Sequence, residues 1–125
     1  AYFIEDQELS DVSFIALEDR ETKKLEKAAG EIEVLTNSIP SGKINSQLIT
    51  LSPGPSEEIA MHAHDADEAV LILSGKVRFR VEDKEYTLSE GDSIYYVGSQ
   101  EHGYANGSDS EEARMIWFAS ERGVD

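Results

Sequence analysis

Met61-His62-Ala63-His64, with Glu68 just beyond it, and Gly91-Asp92-Ser93-Ile94-Tyr95-Tyr96-Val97-Gly98-Ser99-Gln100-Glu101-His102 further on, are the stretches whose reading decides the fold. The chain has three histidines, and all of them fall here. Alternate side chains of a strand point to one face, so His62 and His64 can aim at one point. Imidazole and carboxylate together suit iron, manganese, nickel, copper or zinc, the choice depending on geometry as well as affinity. A lone His on an apolar face is usually structural, and His-x-His alone is weak. Three histidines plus a well-placed Glu, with none left over, favour one metal site over scattered surface histidines.

Working outward, Gly54 opens a block that runs through His62, His64 and Glu68 and closes at Gly75. A second block runs from Gly91 through His102 to Asn106. These blocks resemble the two motifs of the cupin superfamily: Gly, a spacer, His-x-His, Glu and Gly, then Gly, Pro-x-Gly, His and Asn. The intervals Glu68 to Gly75, Gly91 to His102 and His102 to Asn106 agree with that pattern. Three positions depart from it. The spacer from Gly54 to His62 is seven residues, longer than the usual five, Val97 stands where Pro is usual, and Ser99 stands where Gly is usual. None of these removes a ligand.

The resemblance implies an all-β, double-stranded β-helix or jelly-roll barrel, the double-sheet architecture that cupins share with lectin and capsid domains. It implies one domain over residues 1–125, with the motif core at 54–106 and an N-terminal arm to about residue 30. It also implies that His62, His64, Glu68 and His102 line the barrel and hold one divalent transition metal, iron first, with manganese, nickel, zinc or copper as alternatives. Four ligands on a metal that prefers six leave positions open, as a catalytic site requires.

The residues support the same architecture independently. Lys76 to Val81 alternates Val77, Phe79 and Val81 against Lys76, Arg78 and Arg80, the pattern of a half-buried strand whose arginines face solvent. Glu31–Thr36, Ile44–Leu51, Ala60–His64, Glu68–Leu73, Glu85–Leu88, Ser93–Val97, His102–Asn106 and Arg114–Ala119 read as further strands, separated by Gly- and Pro-bearing turns. Val12–Leu17 also reads as a strand. Asp19–Ala29, with Leu25, Ala28 and Ala29 at helical spacing before Gly30, reads as a short helix or an irregular arm. At most one or two short helices are expected, and residues 1–11 should pack lightly.

Glu68 has two readings: a solvated turn carboxylate like Asp65 and Asp67, or an inward ligand. It heads the apolar run Ala69–Leu73, which points inward, where a carboxylate without a cation would be costly. Tyr95, Tyr96, Tyr104, Met115, Trp117 and Phe118 could shape a pocket, although alternation lets only some face it. Gln47, Tyr95, Tyr104 and Trp117 are taken as the substrate wall, and Tyr104 as the candidate acid or base. Asn106 shares parity with His102 and Tyr104 and is read as support or strand-end hydrogen bonding, not as a ligand.

Composition narrows the function. Twenty-six acidic against eleven basic residues give a net charge of −15. That balance disfavours nucleic acid and anionic membranes, which need basic side chains; a solvated, solubilising surface is the plainer meaning of the acid excess. No apolar run approaches the ~20 residues of a membrane span. The chain has no cysteine, and its acidic N-terminus does not read as a signal peptide, so a cytoplasmic location is expected. The resemblance implies a small-molecule substrate and a homodimer. As an enzyme, the chain would be a mononuclear non-haem dioxygenase-type oxidoreductase acting on a small organic acid, ketone or phenol; a metal-dependent lyase or isomerase is the alternative. A non-catalytic sensor cupin is the third reading.

Overall fold

The computed structural model describes residues 10–26, 28–54 and 58–121. Nine antiparallel strands carry the fold: β1 (Thr22–Lys24), β2 (Gly30–Val34), β3 (Ile44–Leu51), β4 (Ala66–Ser74), β5 (Lys76–Val81), β6 (Lys84–Ser89), β7 (Ser93–Val97), β8 (His102–Asn106) and β9 (Ala113–Glu121). They form a six-stranded sheet in the order β1-β2-β3-β9-β4-β7 and a three-stranded sheet in the order β6-β5-β8. Chain neighbours β3 and β4 are split by β9, so the end of the chain closes the middle of the larger sheet. The all-β jelly-roll expectation agrees with this architecture. A single 3-10 turn, Leu17–Asp19, is the only helical element among the described residues, and no helix there is long and apolar enough to cross a membrane.

Strand parity builds the core. Ile49 and Leu51 of β3, Val70 and Ile72 of β4, Val77 and Phe79 of β5, Tyr96 of β7 and Met115 of β9 meet in one buried cluster. Val77, Phe79 and Met115 are wholly inaccessible. On the other face of β5, Arg78 pairs with Glu85 across the hairpin at 2.9 Å, as the alternation required.

Two N-terminal expectations are corrected. Val12–Leu17 forms no strand; Val12, Phe14 and Leu17 are 74%, 85% and 70% exposed. Its β-propensity finds no ladder to join, and propensity without cross-strand partners does not make a strand. Asp19–Ala29 forms no α-helix: Thr22–Lys24 pairs with Glu31–Glu33 as the sheet edge, and the described residues between Lys24 and Gly30 are irregular. Leu25 and Ala28, whose spacing suggested a helix, pack instead against the core. Gly30 begins β2 with φ +153°, where a Cβ would lie 2.1 Å from the Thr50 carbonyl. The expectation for residues 1–9 lies outside the described residues. Ala60–His64 is reduced to one bridge, His62 with His102.

At the end of the barrel Asn106 is a latch. Its Nδ2 donates to the carbonyls of Leu51 (3.2 Å), Ser52 (3.1 Å) and Glu111 (2.9 Å), and its Oδ1 accepts from Ser108 N at 2.8 Å. The end of β3, the end of β8 and the loop into β9 are thus joined through one buried amide. Asn106→Ala should cost about 1–3 kcal/mol in chemical denaturation, because buried carbonyls lose their donor. Asn106→Asp should cost more, since it turns an oxygen towards three carbonyl oxygens.

Candidate metal centre

The site is assembled by backbone pairing before any side chain acts. His62 N donates to His102 O and His102 N to His62 O, both at 2.8 Å, which sets the two residues opposite each other. His64 N donates to Gly98 O at 2.8 Å, tying the segment to the turn after β7. Glu68 shares the inward parity of Val70 and Ile72 on β4, and lies opposite Tyr96 of β7. The three imidazole rings stand 4.6, 4.7 and 5.3 Å apart between centroids. Their candidate ligand nitrogens all lie within 4.8 Å of one another. A metal with bonds of about 2.1 Å holds its ligands at most about 4.2 Å apart, so the cluster is slightly looser than a bound ion would make it. Glu68 flanks this trio: its Oε2 lies 3.6 Å from His64 Nε2 and its Oε1 3.1 Å from His102 Nε2.

The environment is uneven. Glu68 and His102 are each 1% exposed, whereas the His64 side chain is 47% exposed, so the cluster opens on the His64 side. Burial alone would raise the Glu68 pKa, but the His102 ring 3.1 Å away and the hydrogen bonds from Tyr96 and Trp117 outweigh it and hold the carboxyl at about 2. For His102, burial works against the charged form, and the Glu68 contact and the Gln100 carbonyl overcome it to raise the pKa. Tyr96 is raised by burial and by its bond to Glu68. Burial, then the Glu68 charge, pushes Tyr104 up to about 12, so its phenol is neutral at ordinary pH.

The donor set fits a divalent metal. His102 Nδ1 lies 2.8 Å from the Gln100 carbonyl, which can only accept, so Nδ1 carries the hydrogen and a neutral ring turns its Nε2 lone pair towards Glu68. At 3.1 Å from Glu68 Oε1 that lone pair meets a carboxylate, an approach that positive charge nearby relieves. Consistently, Glu68 Oε2 and His102 Nε2 are buried without a hydrogen-bond partner of acceptable geometry, and such groups cost about 1–3 kcal/mol each when left so.

Beside the cluster lies a cavity of about 220 Å³. Gln47, Ile49, Tyr104 and Trp117 form its wall with Tyr96 and the cluster itself. Gln47, Tyr104 and Trp117, three of the residues expected at a substrate wall, line this cavity. Tyr95 does not, and this expectation is corrected: it is 69% exposed, and its hydroxyl donates to Asp67 at 3.3 Å on the outer face. In the adjacent pair Tyr95-Tyr96 only one ring can face inward, and the pairing of Tyr96 with Glu68 selects Tyr96. Asn106 shares the parity of the site, but its bonds serve the strand ends. The Gln100 carbonyl was invisible beforehand because a backbone group leaves no side-chain signal.

The sequence profile of the cupin domain family matches residues 47–119. The chain belongs to this cupin family. No curated protein sequence matches it. Among solved structures, the iron(II) form of HppE with the alternative substrate (S)-1-HPP superposes with a TM-score of 0.76 at 16% identity, over 88% of this chain and 61% of that one. Hydroxypropylphosphonic acid epoxidase from S. wedmorenis gives 0.75 at 16%, over 88% and 60%. This cupin chain thus spans about three fifths of those proteins. An RmlC-like cupin from Shewanella frigidimarina NCIMB 400 gives 0.70 at 19%, over 93% and 95%. At these identities the likeness concerns the fold.

Gly98, between the positions that depart from the cupin motif, has a structural reason to be small. A Cβ there would meet Ala66 O at 2.5 Å, His64 O at 3.2 Å and Glu68 Oε2 at 3.3 Å. Gly98→Ala should therefore cost about 1–3 kcal/mol through overpacking and should displace β4 against the His64 segment. Denaturation and metal uptake of the variant, measured together, should both fall; an unchanged pair of values would mean the turn relaxes freely.

Proposed function

We propose that the chain is a metal-dependent cupin enzyme, a mononuclear non-haem oxidoreductase of dioxygenase type. His62, His64, Glu68 and His102 would hold one divalent transition metal, iron first, with manganese, nickel, zinc and copper as other occupants. The observation that carries this reading is the pair of buried, unpartnered donors, Glu68 Oε2 and His102 Nε2, beside a cavity. When bound, the metal supplies Lewis acidity and, as iron, the redox chemistry that dioxygen needs. The chain's own residues bind and orient. The cavity has the volume of about seven liquid waters, so the substrate is a small organic acid, ketone or phenol. Ile49 and the Trp117 ring offer it apolar walls, and Gln47 offers an amide. Tyr104, neutral at ordinary pH with its pKa near 12, donates a hydrogen bond. That same neutral phenol favours a second reading, a non-redox lyase or isomerase in which Tyr104 gives a proton to a developing oxyanion.

Metal analysis of protein purified without added metal, with oxygen uptake screened over small acids, ketones and phenols, separates these readings. Oxygen uptake with iron supports the dioxygenase. Turnover without oxygen, sustained by zinc or nickel and lost in Tyr104→Phe, supports the lyase or isomerase. Tight ligand binding without turnover would identify a sensor. Glu68→Gln should sharply reduce metal occupancy, whereas Asp65→Asn and Asp67→Asn should leave it near wild type. Equal losses in all three would make Glu68 part of a diffuse acidic rim and overturn the four-ligand assignment.

We also propose that two copies pair through the outer face of β9, β4 and β7. Leu71 pairs with Ile116, and Ala69 lies between Phe118 and Tyr95, giving this face an apolar band in a chain of net charge −15. Asp67 and Arg114 are the charged side chains at its outward positions. An isologous pair would bury the band and keep the acidic surfaces apart. Sedimentation equilibrium should give a dimer that Phe118→Glu converts to a monomer; a monomeric wild type would exclude the pairing.

A further inference from the structure

We infer that Tyr96 and Trp117 are positioning residues that lock the Glu68 carboxylate so that it offers the metal a single oxygen, Oε2. The inference rests on the metal reading above and concerns how the fourth ligand is presented.

Glu68 Oε1 accepts from the Tyr96 hydroxyl at 2.6 Å and from the Trp117 indole N–H at 3.1 Å. Both partners are fitted to this task. An indole nitrogen can only donate, and a phenol donating to a carboxylate makes the short, strong kind of hydrogen bond seen here. The Tyr96 ring has no freedom to leave. Tyr96 is 6% exposed and packed between His102 and Phe79, at 4.6 and 5.3 Å between ring centroids. The sheet aims the two donors from opposite sides. Tyr96 on β7 lies directly across from Glu68, and Trp117 on β9 lies across from Val70, so it reaches Glu68 diagonally, a distance a large side chain covers.

The other oxygen is treated differently. Oε2 is buried without a hydrogen-bond partner and is the oxygen beside His64, on the open side of the cluster. Carboxylates bind metals through one oxygen or two. Here a second metal–oxygen bond would have to displace a hydrogen bond already made to Oε1. The lock therefore keeps the donor set at three nitrogens and one oxygen, and it preserves coordination positions that a chelating carboxylate would consume.

Cobalt(II) is the probe, because its visible d–d bands weaken as its coordination number rises. Cobalt(II) would be titrated into the wild-type chain, Tyr96→Phe, Trp117→Phe and Tyr95→Phe, with folding of each checked by near-ultraviolet circular dichroism. Tyr96→Phe and Trp117→Phe should lower cobalt(II) affinity by about 10- to 100-fold, as loss of such supporting hydrogen bonds does. Their d–d bands should weaken as the freed Oε1 joins the metal. Tyr95→Phe deletes a hydroxyl from the adjacent, outward residue and should match wild type in both. If Tyr96→Phe does not fold, Trp117→Phe decides. Folded variants with wild-type bands and affinity would overturn the positioning inference while leaving the metal reading intact. A wild-type chain that takes up no cobalt(II) would overturn both.

Discussion

One carboxylate is withdrawn from water into a chain already carrying a large excess of negative charge, and the site is arranged around the consequences. Glu68 is the acidic side chain in the buried core among the described residues, and isolating a carboxylate there is expensive unless donors or cations surround it. Donors arrive from the two strands that flank β4, Tyr96 from β7 and Trp117 from β9, while the His102 ring approaches from β8 of the other sheet. Each comes from a position whose parity is set by the apolar core beneath it. The same alternation that buries Val70 and Ile72 thus turns Glu68 inward, and the same pairing that builds the sheet supplies its hydrogen bonds.

The histidines are organised by a different device. His62 and His64 lie on an irregular segment held by a few backbone bonds, to His102 and to Gly98. A segment of this kind can carry two ligands at alternating positions without belonging to a long ladder, so its aim depends on the turn after β7. The histidines accordingly stay clustered despite the departures from the cupin motif around Gly98. Val97 and Ser99 alter the turn's side chains, but the residue that must approach Ala66 and Glu68 without a Cβ is still glycine.

Legibility followed the physics of each element. Lys76–Val81 was readable because one face is fully buried and the other charged, so a period of two is imprinted on the residue types. The clustering of His62, His64 and His102 beside Glu68 was legible because few side-chain types hold metals and their spacing is characteristic. Val12–Leu17 was misread because β-branched and aromatic residues mark strands only when a partner edge exists. The helical reading of Asp19–Ala29 failed because Leu25 and Ala28 pack around a bend, and spacing along the sequence cannot separate that from a helical face. The choice of Tyr95 over Tyr96 failed for a third reason. In two adjacent aromatics both parities look equally good, and only the register against β4, a long-range fact, decides between them.

The cupin fold and the chemistry are consequently separable questions. At the identities of its structural neighbours the barrel speaks for the fold alone. One architecture accommodates proteins of different kinds, and the backbone cannot choose between them. What distinguishes this chain lies in the residues facing the cavity: an amide from Gln47, a neutral phenol from Tyr104, an indole already committed to Glu68, and a histidine at the open edge. The site is closed where it must hold a charge and open where a small molecule could arrive.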